Sequence, residues 1–166
     1  MAYKLQEWAS NGLIPMYPHW NRRNPLADPL QCGRYRIDFV FELESMVLLL
    51  EYDEQMHSAY TKKCELVRQA EASLGYGGMP VHWIRFNPDA FKIDGKIRKT
   101  GKKEREDMLI TKIKEAIANP DFAFLIKIDY ICYNKQHTAD NTGSDLVKSL
   151  KFKAIGGYLA WVEAKI

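Results

Sequence analysis

At 166 residues, with 46% hydrophobic and 27% charged residues, the chain is about one domain, long enough for a real core and too apolar to be disordered. Its longest purely apolar run is five residues, so no membrane span or signal peptide is expected and an intracellular location, cytoplasm or nucleus, follows. A net charge of +3 is too small to argue for a nucleic-acid partner by itself. Cys32, Cys64 and Cys132 are odd in number and far apart; they suggest neither a disulfide framework nor a zinc site, and each is expected as a small buried or half-buried thiol.

The spacing of Leu5 and Trp8 predicts a short helix over Tyr3 to Ser10, ended by Asn11-Gly12. Between Leu13 and Cys32, Pro15, Pro18, Pro25 and Pro29 with Tyr17 and Trp20 read as an irregular arm packed on the sheet. His19, Arg22 and Arg23 lie in that arm, as phosphate contacts or as plain surface residues.

Two strands follow. Ile37, Phe39 and Phe41 alternate with Asp38, Val40 and Glu42, and Met46 to Leu50 is unbroken apolar sequence, so a hairpin turning at Leu43-Glu44-Ser45 is expected. The second strand reads as central, yet it ends in Glu51-Tyr52-Asp53, two carboxylates at i and i+2 that a strand points to one face. With Glu44-Ser45 as the tip, Asp38 lies opposite Glu51 at roughly 5 Å, where like charges destabilise unless something neutralises them. Mg2+ takes oxygen ligands from one or two carboxylates, water and phosphate, and fits that need. A one-residue slip would instead turn Glu51 away and leave separate charges, some paired with Arg34, Arg36 or Arg85.

Ser58 is placed to cap a helix with Tyr60, Cys64, Val67, Ala70 and Leu74 on its buried stripe and Lys62, Glu65, Arg68 and Gln69 opposite, stopping at Gly75. Gly75-Tyr76-Gly77-Gly78 follows a helix and precedes a strand, the reverse of a phosphate loop, and reads as a turn. Val81 to Phe86 is a strand closed by Asn87-Pro88-Asp89. Lys96, Arg98, Lys99, Lys102, Lys103 and Arg105 then stand against Glu104 alone, interrupted by Gly101: a basic loop that could follow a phosphate backbone, or a solvated lead into a helix. Met108, Ile110, Ile113 and Ile117 predict a helix over Lys103 to Ala118. Phe122 to Cys132 alternates as a strand, and Asn134 to Asp145 is a polar loop long enough to carry function. Two readings of the end stay open, a hairpin through Gly156-Gly157 to Trp161 or a helix from Asp145. The pattern of elements is α/β (α+β), a mixed sheet with packed helices.

Asp38-Phe39, Glu51-Tyr52-Asp53-Glu54-Gln55-Met56-His57, Cys64-Glu65 to Arg68 and Ile84-Arg85-Phe86-Asn87-Pro88-Asp89 together resemble the PD-(D/E)XK, restriction-endonuclease-like nucleases. The likeness is to small predicted endonucleases of giant DNA viruses and, more distantly, to very-short-patch repair nucleases; it covers roughly residues 34–103. It implies an αβββαβ core and Mg2+- or Mn2+-dependent cleavage of phosphodiesters in DNA. Carried over by position, Asp38 is the central metal ligand, Glu51 the second acidic ligand, and Asp53 stands where the motif has lysine, completing a metal set of Asp38, Glu51 and Asp53. His57 matches a histidine near the leaving group, with Met56 where the repair nucleases often carry glutamine. Arg68 orients an acidic ligand or holds a phosphate, with a surface pair to Glu65 as the competing role, and Arg85 pairs with Asp38 or Asp53 or meets the nucleic acid. His19, His82 and His137 are left as structural. Cutting both strands would favour a homodimer, each chain offering one cluster. The competing function is a nucleic-acid-binding module that keeps the fold without catalysis.

Overall fold

Six strands pair into one mixed sheet with helices on both faces. The computed structural model describes residues 2–14, 18–23, 36–54, 61–134 and 146–165. In chain order these form α1 (Ala2–Ser10), β1 (His19–Arg23), β2 (Arg36–Glu42), β3 (Val47–Tyr52), α2 (Lys62–Leu74), β4 (Val81–Phe86), β5 (Lys92–Ile93), β6 (Lys96–Ile97), α3 (Lys102–Ala118), β7 (Ile126–Ile131), β8 (Val147–Phe152) and α4 (Ile155–Glu163). The sheet order is β1-β2-β3-β4-β7-β8. Strands β3, β4 and β7 run parallel, and the strands outside them pair antiparallel.

The β2–β3 hairpin has the expected register, Phe39 facing Leu50 and Glu42 facing Val47, with Leu43 N–H donating to Met46 O across the turn at 3.0 Å. Continuing it by one residue sets Asp38 against Glu51. The strands β3 and β4 are buried along almost their whole length, as parallel strands covered on both faces must be. On one face Leu5 and Trp8 of α1 and Leu109 and Ile113 of α3 cover Phe41, Leu48, Leu50, Ile84 and Phe86. On the other, Leu66 and Ala72 of α2 and Tyr158 and Val162 of α4 cover Leu49, Trp83 and Ile128.

Several sequence expectations change. Within the arm, His19–Arg23 is an edge strand, because β2 would otherwise leave a row of backbone groups open and β1 pairs with it from His19↔Val40 to Arg23↔Arg36. Thr61 caps α2, accepting from Cys64 N–H at 3.3 Å; Ser58 and Tyr60 lie outside the described residues. The basic segment contains a small β5–β6 hairpin turning at Asp94-Gly95, both in left-handed backbone with φ of 50° and 77°. Strand β7 starts only at Ile126, leaving Phe122 exposed. Gly156 and Gly157 sit inside α4 rather than in a turn: burial of Tyr158 and Val162 outweighs a cost of about 1 kcal/mol for each helical glycine. Cys64 is disulfide-bonded, against the expectation of three thiols, and its partner lies outside the described residues; Cys132 is a free buried thiol, pushed up to about 12 by burial. No helix among the described residues is long and apolar enough to cross a membrane.

Strands β4, β7 and β8 are tied by side-chain hydrogen bonds to the buried Asp129. His82 Nε2 lies 2.8 Å from Asp129 Oδ2, and Ser149 Oγ donates to Asp129 Oδ1. Burial depresses the His82 pKa more than Asp129 raises it. Asp129 is also depressed, burial being outweighed by hydrogen bonds from His82 and Ser149. At neutral pH a neutral His82 therefore donates to an ionised Asp129. A histidine with a lowered folded pKa binds fewer protons folded than unfolded, so its contribution is full above about pH 6.5 and is lost as pH falls below that value. The stability difference between wild type and His82→Gln, measured by denaturant titration, is expected to move against wild type as pH falls from 7 to 5.

Removing the covalent tie at Cys64 should cost about 2–4 kcal/mol. Thermal unfolding with and without reductant is expected to show this loss in wild type and in Cys132→Ser, and no response to reductant in Cys64→Ser.

Candidate active site at the carboxyl end of the sheet

The carboxyl ends of β3 and β4 and the first turn of α2 meet at one end of the molecule, which is where α/β sheets present their ligand sites. Glu51 and Arg85 occupy the same row of the sheet, and Arg85 is followed in that row by Tyr130, whose ring lies 6.0 Å from the guanidinium. Asp53 follows Glu51 by two residues, just past the strand, with its N–H on Phe86 O at 2.8 Å.

Two arginines stitch the carboxylates together. Arg85 Nε donates to Asp53 Oδ2 at 2.7 Å and its Nη2 to Glu65 Oε2 at 2.5 Å. Arg68 donates to Glu51, to Glu65 Oε1 at 3.4 Å and to Arg36 O at 3.3 Å. Glu65 thus bridges both guanidiniums, one through each oxygen. Asp53 Oδ2 also accepts from the Tyr133 hydroxyl. Asp38, half-buried, accepts the Tyr52 N–H on Oδ2 at 2.8 Å. Glu51, Asp53, Arg68 and Arg85 are all buried.

This arrangement rotates α2 relative to the sequence expectation. Glu65, Arg68 and Gln69, assigned to solvent, face the sheet and Leu74 of the expected apolar stripe is exposed, while Ala70 of that stripe is buried as expected. Charge complementarity is the reason. With Glu51 and Asp53 fixed under the helix, a wholly apolar α2 face would leave buried carboxylates unpaired, at a cost of several kcal/mol each.

Four carboxylates, Asp38, Glu51, Asp53 and Glu65, gather here with the guanidiniums of Arg68 and Arg85. Burial drives the Glu51 pKa up, Arg68 pulls it down, and Asp38 and Asp53 push it up again, to about 8. For Arg85, burial opposes the charge but Asp53 and its other neighbours outweigh it, so its pKa is raised well above the ordinary value.

Among the described residues, no three His, Cys, Asp or Glu side chains are grouped to share a metal ion. The donor chemistry fits a narrower site: hard oxygen donors from Asp38 and Glu51, the number Mg2+ ordinarily takes from protein, with water and phosphate completing the shell. Asp53, the third expected ligand, has its Oδ2 taken by Arg85 and Tyr133. His57 lies outside the described residues, as do Gln55 and Met56. Arg68 and Arg85 are buried among carboxylates, and Lys96, Arg98, Lys99, Lys102 and Lys103 are exposed on the segment that leaves β4. His19, on the edge strand, lies 3.6 Å from Glu42.

Sequence reasoning missed Glu65 and Tyr133. The i, i+3 spacing of Glu65 and Arg68 was a signal, read as a surface pair. For Tyr133 there was none, because its approach depends on Cys132, whose φ of 62° breaks the alternation of β7: Ile131 and Cys132 both join the α1/α3 face, and Tyr133 returns to the α2 face beside Tyr130, ring centroids 5.2 Å apart.

Compared with family models, with curated proteins and with solved structures, the chain finds no match in any of the three.

Removing one member of a buried ion pair is expected to cost about 3–5 kcal/mol. Arg85→Leu should lower stability by that amount in denaturant unfolding, and the double substitution Arg85→Leu with Asp53→Leu should recover a large part of the loss.

Proposed function

We propose that the protein is a metal-dependent endonuclease that hydrolyses phosphodiester bonds in DNA. The observation that carries this reading is the gathering of carboxylates at the carboxyl end of the sheet: Asp38 set against Glu51 by the hairpin register, Asp53 two residues further on, and Glu65 across both guanidiniums. The order α1-β1-β2-β3-α2-β4 supports a restriction-endonuclease-like αβββαβ core, the fold that the resemblance implies.

In this reading Asp38 and Glu51 would hold Mg2+ or Mn2+, with Asp53 kept beside them by Arg85 and Tyr133 on its Oδ2. Bound there, the ion supplies Lewis acidity toward a phosphoryl oxygen and toward the attacking water. The chain supplies the rest. Tyr52 N–H orients Asp38. Arg68 fixes Glu51 in the row beside it, and Arg85 with Tyr133 fixes Asp53. Glu65 keeps both guanidiniums parked between carboxylates, so their charge adjoins the place where a pentacovalent phosphoryl anion would gather negative charge. In this reading His57 delivers a proton to the leaving oxygen. The exposed cations after β4 follow the backbone of the substrate.

A second reading has one observation in its favour. Asp53 Oδ2, at the position of the motif lysine, is held by Arg85 and Tyr133, as in a fold retained for binding alone. A non-catalytic DNA-binding module would shift DNA equally with and without chelator.

Supercoiled plasmid incubated with Mg2+, Mn2+ or chelator separates the two. Cleavage is expected with metal and absent with chelator, and Asp38→Ala should lower the rate more than about 10²-fold, the scale of losing several kcal/mol of charge stabilisation. Binding of DNA without cutting in any metal would leave the second reading.

A further inference from the structure

The β5–β6 hairpin is a ribbon whose exposed face folding alone does not explain. It is firmly seated: Phe91 before it is buried, Ile93 packs against the α1/α3 side of the core, Arg98 N–H donates to Phe91 O at 3.0 Å, and Lys92 N–H donates to Asn134 Oδ1. Pairing puts Ile93 across from Lys96 and Lys92 across from Ile97, so the face opposite Ile93 carries Lys92 and Ile97 away from the core. Ile97 is 65% exposed, the most exposed aliphatic side chain among the described residues. Lys92 shares its face, and exposed Lys96, Arg98 and Lys99 adjoin it along the chain.

An isoleucine held out in water costs solubility and contributes nothing to the core. Paired with Lys92 on a two-stranded basic ribbon, it has the makeup of the apolar wedges that enter between base steps while neighbouring lysines and arginines hold the phosphates on either side. The ribbon leaves the chain directly after β4 and is tied to Asn134 after β7, so it stands at the same end of the sheet as the carboxylate cluster.

We infer that the β5–β6 hairpin inserts Ile97 between base pairs of duplex DNA, kinking it, while Lys92, Lys96, Arg98 and Lys99 grip the flanking phosphates. The inference rests on the reading of DNA as substrate and adds the form of the substrate: a duplex that can be unstacked beside the scissile phosphate. Pyrimidine–purine steps, which unstack most easily, are the favoured sites of entry.

The test uses the full chain and a 30-base-pair duplex carrying donor and acceptor dyes at its ends, with anisotropy reporting binding and energy transfer reporting bend. Wild type is expected to bind and to bend the duplex by about 20–90°. Ile97→Ser is expected to bind with an unchanged salt slope and without the bend. Lys96→Ala with Lys99→Ala is expected to reduce the salt slope by about 0.9 for each charge removed. Binding by wild type without a bend, a bend that survives in Ile97→Ser, or equal affinity for single strands would overturn the wedge while leaving DNA binding in place. Absence of duplex binding at low salt would overturn it too. Plasmid cleavage, measured separately, decides the nuclease reading whichever way the bend turns out.

Discussion

Buried charge governs this structure. Two carboxylates at the end of a central strand are an expensive way to finish a sheet, and the fold answers by bringing two arginines and a third carboxylate under the same helix. Helix α2 cannot rotate or slide on the sheet without breaking contacts that neutralise ions already removed from water. The rotational setting of α2, the residues it exposes and the position of Glu65 all follow. Apolar packing supplies the bulk of the stability, but these pairs select which way round the helix lies.

The same constraint shows why the fold was more legible in the sequence than the site. Strands β2, β3 and β4 and the hairpin register are readable because apolar side chains alternate or run unbroken at strand length, and a slip of one residue would invert every one of them. Helix α3 is readable from its 3.6-residue spacing. Helix α2 misleads, because periodicity arguments place charge in solvent, and here Arg68 is buried and Glu65 half-buried against partners far off in the chain, Glu51 and Arg85. Strand β1 is hidden for a different reason: it is an edge strand flanked by prolines, and pairing with β2 decides it. Gly156-Gly157 carries a turn signature that burial of Tyr158 and Val162 overrides.

For the site itself, the positions of Asp38, Glu51 and Asp53 near one another follow from the hairpin and from strand alternation, so their nearness was in the sequence. Their partners were there in part: Arg68 was expected beside an acidic ligand and Arg85 beside Asp38 or Asp53, and Arg68 meets Glu51 while Arg85 meets Asp53. Which guanidinium meets which carboxylate depends on how far α2 reaches and on the row shared by Glu51 and Arg85, quantities that only packing sets. The disulfide at Cys64 is likewise beyond spacing arguments. It adjoins Glu65, so a covalent anchor and the bridging carboxylate occupy successive residues, and such bonds persist chiefly where the surroundings are oxidising.

Cys132 is a buried residue in the left-handed region, a conformation that costs an ordinary L-residue roughly 1–2 kcal/mol. Two demands therefore meet at one position: the apolar pocket asks for a small, greasy side chain, and the backbone asks for none that branches at Cβ. Ranked by hydropathy, valine would be the natural replacement and glycine a poor one. Ranked by what the turn into Tyr133 tolerates, the order reverses, and the variation open to this position is narrower than its burial alone would suggest.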